Sequence, residues 1–218
     1  MLSSPSVMTL STPAPKPLLQ DDLKLSLRER QKIRRRNRIY QVAIQLFKEN
    51  GFDKTTATDI ARTAHVSRGT FFNYYPYKEA VLLDYGAYIV SNLHDVIEER
   101  RQEGLDAAAM LEELWLELAR VTQEERDLIP PLTYELINPD PIRAKAAYEA
   151  MPLAKIIEPL LRETHRIRDD VSIERIAATI AYTYLMTALR WSAFHPNRPA
   201  KDELKKALTL VLDGAYKR

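Results

Sequence analysis

Apolar residues recur along this 218-residue chain at helical spacing, and nowhere in the two-residue alternation of a strand pair. Between Leu27 and Glu49 the set Ile39, Ala43, Leu46 and Phe47 falls at i, i+4, i+7 and i+8, and Asn50-Gly51 supplies a stop. Thr56 and Asp59 have the spacing of a capping box and open a short helix to about Ala64. Ser67 caps the next, Arg68 to Tyr74, which ends there because Pro76 disfavours helical geometry in the residue before it. Longer helices are predicted over Tyr77 to Arg101, Asp106 to Val121, Glu124 to Ile137, Pro141 to Arg166, Val171 to Phe194 and Lys201 to Tyr216. Pro152 and Pro159 are expected to break or kink the fourth of these. The connections are short turn clusters such as Asn138-Pro139-Asp140-Pro141 and His195-Pro196-Asn197. Residues 1–26 are rich in Ser, Thr and Pro without an apolar period, which predicts a flexible arm. The expected fold class is all-α.

The last two helices are more apolar than a surface helix needs. On Val171 to Phe194 one stripe holds Ile173, Ile176, Ala177, Ile180, Tyr184, Ala188 and Trp191, while Tyr182, Leu185, Met186 and Leu189 cover much of the other side. The final helix carries Leu204, Leu208, Val211 and Ala215, with Leu210 and Leu212 beside them. Two readings fit this pattern: a monomer core, or a symmetric four-helix interface in which about 171–194 and 201–216 pack on their copies in a homodimer.

Charge divides the chain more sharply than its net value of +2 implies. Met1 to Lys78 holds 14 Lys/Arg against 6 Asp/Glu, net +8, and the remainder holds 18 against 24, net −6. One end is therefore expected to meet a polyanion. The densest run, Arg28 to Arg38, has seven basic residues and one acidic, and Arg34, Arg35 and Arg36 are candidate phosphate contacts. Alone, such a run more often marks a solvated helix start or a membrane-surface patch than a phosphate contact. Its neighbour decides, because two short capped helices joined tightly through His65-Val66-Ser67 have the dimensions of a helix-turn-helix.

Other chemistries find little support. There is no cysteine, the four histidines are widely spaced, and no Gly-rich phosphate loop, His-Glu-x-x-His pair or Gly-x-Ser-x-Gly elbow occurs, so neither an enzyme, a metal site nor a cofactor is expected. Apolar stretches fall short of the ~18–20 residues of a membrane span, and no secretory signal is read, so the expected location is the cytoplasm.

Within the two short helices, Ala61, Val66 and Phe71 are placed to join Leu46, Phe47 and Ile60 in a small core, leaving polar residues of the second helix for the major groove. Arg68 is the best base reader, since its planar fork pairs with the N7 and O6 edge of guanine, and Thr70 and Asn73 are shorter readers. Tyr74 and Tyr75 offer hydroxyls towards phosphate, and Thr56, Thr58 and Lys78 lie near helix starts, which favour an anion. Ser67 and Gly69 complete the DNA-contacting set.

The run Ile39 to Leu82, IYQVAIQLFKENGFDKTTATDIARTAHVSRGTFFNYYPYKEAVL, resembles the DNA-binding domain of the tetracycline-repressor (TetR) family. The resemblance implies a homeodomain-like three-helix DNA-binding domain over 27–76, followed by a helical ligand-binding and dimerisation domain over 77–218. It implies DNA contacts at Thr56, Thr58, Arg68, Thr70, Phe72, Tyr74 and Lys78. This sequence departs from the family pattern at Phe72, often tyrosine; at Tyr74, often histidine; at His65, commonly glycine in the turn; and at Tyr77, usually a capping Ser or Asn. His65 then requires either a left-handed conformation or an altered turn.

The implied function is a homodimeric repressor of a palindromic operator, released when a small-molecule effector shifts the spacing of two recognition helices held about 34–36 Å apart. Trp115, Tyr134, Tyr148, Tyr182, Tyr184, Met186 and Trp191 are candidate pocket residues, because aromatic groups with polar tips suit an apolar cavity; most are expected to be ordinary core. The alternative is a helix-turn-helix dimer without a small-molecule effector.

Overall fold

The computed structural model describes residues 26–150 and 152–216; the predicted arm, Ser26 apart, lies outside the described residues. The described residues form α1 Leu27–Asn50, α2 Ala57–Thr63, α3 Arg68–Tyr74, α4 Ala80–Gln102, α5 Ala107–Glu124, α6 Ile129–Leu136, α7 Pro141–Ala150, α8 Leu153–Thr164, α9 Ile173–Phe194 and α10 Ala200–Ala215. The all-α expectation holds, with one isolated antiparallel bridge between Ile167 and Tyr216. Two compact units divide at Val81/Leu82.

In the first unit, a capping box between Ser26 and Glu29 opens α1, and the helix stops at Gly51, whose φ of 88° and ψ of 147° suit a residue without a side chain. The apolar period delivers Ile39, Tyr40, Ala43, Ile44 and Phe47 into a core completed by Ile60, Ala61, Phe71 and Tyr75. Leu46 and Val66, expected there, are only half-buried. Buried Thr55 ties the connection by donating its hydroxyl to the Gly51 carbonyl at 2.9 Å, with the Leu46 carbonyl at 3.1 Å. The turn between α2 and α3 resolves the His65 question. His65 adopts φ 51°, its N–H bonds the Arg62 carbonyl, and the Val66 N–H reaches back to the Ala61 carbonyl at 2.9 Å. This is a Schellman motif with histidine in the left-handed place usually given to glycine.

The second unit is organised around α9, which packs on α6, α8 and α10, while α5 packs on α8 and α10. Of the predicted α9 stripe, Ile176, Ala177, Ile180, Tyr184, Ala188 and Trp191 are buried. Polar atoms in this core find partners: the Trp115 indole donates to the Leu204 carbonyl at 2.7 Å and the Trp191 indole to the Arg198 carbonyl at 2.9 Å. Thr122 gives its proton to the Leu118 carbonyl, so the Tyr184 hydroxyl donates to Thr122 Oγ1 at 3.0 Å. Burial pushes the Tyr184 phenol up to about 12, with the Thr122 bond acting the other way.

Several helix boundaries differ from the sequence expectation. The helix predicted from Tyr77 begins at Ala80, after a turn. The helix expected over Glu124 to Ile137 is cut back: α5 runs on to Glu124, a turn follows, and α6 starts at Ile129 so that Pro130 falls in its first turn, where a missing N–H costs nothing. The long Pro141 to Arg166 segment separates into α7 and α8 at Pro152, whereas Pro159 is accommodated inside α8.

Candidate nucleic-acid interface and apolar cavity

α3 owes its orientation to its two ends and one buried ring. Ser67 Oγ accepts the Thr70 N–H at 3.0 Å and lies 2.8 Å from the Thr70 hydroxyl. At the far end Tyr75 leaves the helix in an extended conformation ahead of Pro76. Between them Phe71 is fully buried, edge-on to Phe72 and 5.9 Å from the Tyr75 ring. That anchoring turns Arg68, Gly69, Phe72 and Asn73 outward as one exposed face, flanked by half-buried Thr70 and Tyr74. Tyr75 itself is core.

The Arg68 guanidinium carbon stands 5.5 Å from the centroid of the Phe72 ring. Phe72 offers no hydroxyl and supplies instead an aromatic platform for the Arg68 fork. Gly69 is unusual in a different way: a Cβ built there meets nothing nearer than Ser67 Oγ at 3.8 Å, and its φ is not positive. Nothing inside the protein requires glycine at this place.

The phosphate-facing candidates are not equally available. The Thr56 hydroxyl donates to the Asp59 carboxylate at 2.5 Å and accepts the Asp59 N–H at 3.1 Å, and the Thr56 N–H also reaches that carboxylate. These bonds from Thr56 hold the Asp59 carboxyl below its ordinary range. Thr56 is therefore engaged in its capping box, while Thr58 stands exposed on the first turn of α2. Lys78 donates to the Phe52 carbonyl at 2.8 Å and its ammonium sits 4.0 Å from the Phe52 ring centroid. It retains two further N–H donors. On α1, Arg34 and Arg35 are exposed, and the Arg36 guanidinium lies 5.2 Å from the Tyr75 ring.

In the second unit α6, α7, α8 and α9 line a mainly apolar, partly open cavity of about 320 Å³. Ala144, Ala147, Ala154, Ala178 and Ala181 leave the space open, and Leu136, Leu153 and Leu185 add apolar walls. Of the sequence-predicted pocket residues, Tyr148 and Tyr182 line it. Trp115 is buried and hydrogen-bonded in the core instead, because its indole N–H meets the Leu204 carbonyl; Tyr134 and Met186 are exposed at 61% and 42% and lie outside this lining. Sequence reading missed the alanines, whose recurrence three residues apart on α7 and again on α9 was the available signal. One wall is braced by Glu135 of α6, its side chain 1% exposed, which accepts two hydrogen bonds from the Arg143 guanidinium of α7. No helix among the described residues is long and apolar enough to cross a membrane, and no group of His, Cys, Asp or Glu among them gathers as a metal site.

Comparison with known proteins bears on both units. Residues 39–85 match the family model described as bacterial regulatory proteins, tetR family, and residues 87–214 match that of the C-terminal domain of TetR/AcrR family transcriptional repressors. The chain belongs to the TetR/AcrR family of transcriptional regulators. A solved TetR-family relative, the transcriptional repressor FadR of Thermus thermophilus in complex with lauroyl-CoA, is 48% identical; the match covers 84% of this chain and 96% of that one, with a TM-score of 0.78. FadR of Bacillus halodurans, 20% identical over 84% of this chain and 97% of its own with a TM-score of 0.66, shows the same fold. The uncharacterized HTH-type regulator YvdT of Bacillus subtilis is 26% identical over 157 residues, 71% of this chain and 80% of that protein. α2 and α3 fall within the residues matched by the tetR-family model, and the cavity-lining residues fall within those matched by the C-terminal-domain model.

Proposed function

We propose that this TetR/AcrR regulator represses transcription as a homodimer on a palindromic operator and is released by a fatty acyl-CoA thioester. The observation that carries the DNA half is the α3 outer face, with Arg68 stacked on Phe72 beside a glycine that no internal contact demands. Arg68 reads a base; Thr70 and Asn73 are further readers; Tyr74, Thr58, Lys78 and the exposed Arg34 and Arg35 meet phosphates. Thr56 and Ser67 act through the caps they make. Dimerisation proceeds through α9 and α10, whose outward Tyr182, Met186 and Leu210 remain exposed at 59%, 42% and 76%. The cytoplasm is the compartment in which operator and thioester meet, and the working modules are 27–76 and 77–218.

For the effector, support comes from the 48% identical FadR solved with lauroyl-CoA and from an apolar cavity of about 320 Å³, within the ~300–1,000 Å³ of small-molecule sites. An unbranched acyl chain suits walls of Ala and Leu with no charged lining group, while the anionic coenzyme portion stays in water. A thioester that binds the DNA-incompetent arrangement more tightly shifts the population towards it, and operator affinity falls by the same coupling factor.

The test is selection of bound DNA from a random pool, then release of the selected duplex by lauroyl-CoA, with free coenzyme A and laurate as controls. Half-sites related by a two-fold axis and release by the thioester alone are expected. Arg68→Ala should relax choice at one half-site position by about 1–3 kcal/mol. Ala147→Phe, which intrudes into the cavity from a buried position, should keep operator binding and lose release. No enriched sequence, or an operator complex indifferent to lauroyl-CoA, overturns the corresponding half of the proposal.

A further inference from the structure

The family match begins at residue 39, yet α1 begins at Leu27. The first twelve residues of α1, Leu27 to Arg38, extend ahead of the residues that the family model matches, and they hold seven of the chain's basic residues. The single acid among them, Glu29, is engaged with Ser26 in the capping box that starts the helix.

The placement of the charge is as telling as its amount. With about 100° of rotation per residue, Arg28, Lys32 and Arg35 fall in one sector of the helix, and further along that sector is held by Ile39 and Ala43. Ile39 and Ala43 are completely buried in the core of the first unit, whereas Arg28, Lys32 and Arg35 are exposed. The face that packs on protein in the lower half of α1 thus runs on as an exposed basic stripe over Arg28, Lys32 and Arg35. Arg36, next to that sector, stacks on Tyr75 at 5.2 Å, so the stripe lies on the side of α1 that meets the C-terminal end of the recognition helix.

We infer that Leu27–Arg38 is a second DNA-binding element, which grips the phosphate backbone flanking the half-site read by α3. At about 1.5 Å per residue the extension spans about 18 Å, and at about 3.4 Å per base pair it lengthens the footprint by up to about five base pairs on each outer side. Its contacts are to phosphate, so they add affinity and salt dependence without adding sequence choice. This inference rests on the DNA-binding reading of α3.

The experiment uses the full chain and the triple variant Arg28→Ala, Lys32→Ala and Arg35→Ala, whose alanines preserve the helix. Dissociation constants are measured against salt on the selected operator with no flank and with eight base pairs of random flank on each side. For the wild type, the flanks should raise affinity and steepen the slope of log K against log salt, by about 0.9 for each phosphate contacted. The variant, melting at the wild-type temperature, should lose both effects while preferring the same half-site bases. A wild type that binds the operator but ignores flank length, or a variant with the wild-type slope, overturns the inference and leaves the reading of α3 standing. Failure of the wild type to bind any selected duplex overturns the reading of α3 itself. Vesicles of phosphatidylserine serve as the competing polyanion: a variant that loses vesicle binding yet keeps the flank effect assigns the stripe to a lipid surface and overturns its assignment to DNA.

Discussion

Gly69→Ala separates what the fold wants from what the operator wants. Gly69 is the second residue of α3, is exposed, and lacks the positive φ that makes glycine necessary elsewhere in the chain. The added Cβ would meet only Ser67 Oγ, at an ordinary 3.8 Å, so no steric penalty arises within the protein. Alanine restricts the unfolded chain more than glycine does, and the exchange should stabilise the free protein by about 0.4–1 kcal/mol. For a chain of this size that raises the melting temperature by about 2–4 °C per kcal/mol. Operator affinity should move the other way, because Gly69 shares the outer face with Arg68, Phe72 and Asn73, where a methyl group holds the backbone off the duplex. Melting in the absence of DNA and operator titration at fixed salt measure the two effects on one preparation. A variant that gains stability and binds the operator as tightly as the wild type would show that α3 does not approach DNA along this face; a variant that melts lower would show that the helix is not in the conformation described.

Lys78→Met removes the ammonium that bonds the Phe52 carbonyl and covers its ring, so it should destabilise the first unit by about 1.5–3 kcal/mol and also flatten the salt slope of operator binding by about 1. A lower melting temperature with an unchanged slope would make Lys78 a structural clamp only. Gly51→Ala meets no atom within 4 Å, so its cost is that of forcing a side chain into φ 88°, about 1–3 kcal/mol, read as a lower melting temperature. Arg143→Ala strips the buried Glu135 carboxylate of its partner and should cost towards the lower end of about 3–5 kcal/mol, since Arg143 itself is 28% exposed. The apolar double change Glu135→Leu with Arg143→Met should recover most of that loss, and a double variant no more stable than the single one would show that the pair is not the brace between α6 and α7.

Where residues within four positions of one another decide the outcome, the sequence was readable: the Thr56 capping box, the Ser67 cap, the break before Pro76 and the split at Pro152 all appear where expected. The start of α6 was misread because the apolar period continues through Pro130 and Pro131 while the hydrogen bonds do not. The α3 face needed only its own helix and Phe71 to orient it. Even so, Phe72 read as the loss of a hydroxyl, and its use as a platform for Arg68 required side-chain geometry. The cavity is a different kind of object. Trp115 and Tyr182 both lie on apolar helical stripes, and periodicity assigns them equal odds; one is sealed by the Leu204 carbonyl and the other borders open space, because α5 and α9 meet different neighbours.

The same contrast decides how the two halves answer substitution. The recognition surface is a run of consecutive residues on one short helix, so a change there acts through local conformation and through what the duplex meets. The cavity is the space left where four helices fail to close, and its volume depends on the small side chains of Ala144, Ala147, Ala178 and Ala181 leaving that space unfilled. A single larger side chain at one of these places removes volume from the cavity directly, because each of them lines it. Under the proposed function, effector choice can change through any of four helices while the DNA contacts of α3 depend on one, because the cavity walls come from α6, α7, α8 and α9 and the exposed α3 face from a single short helix.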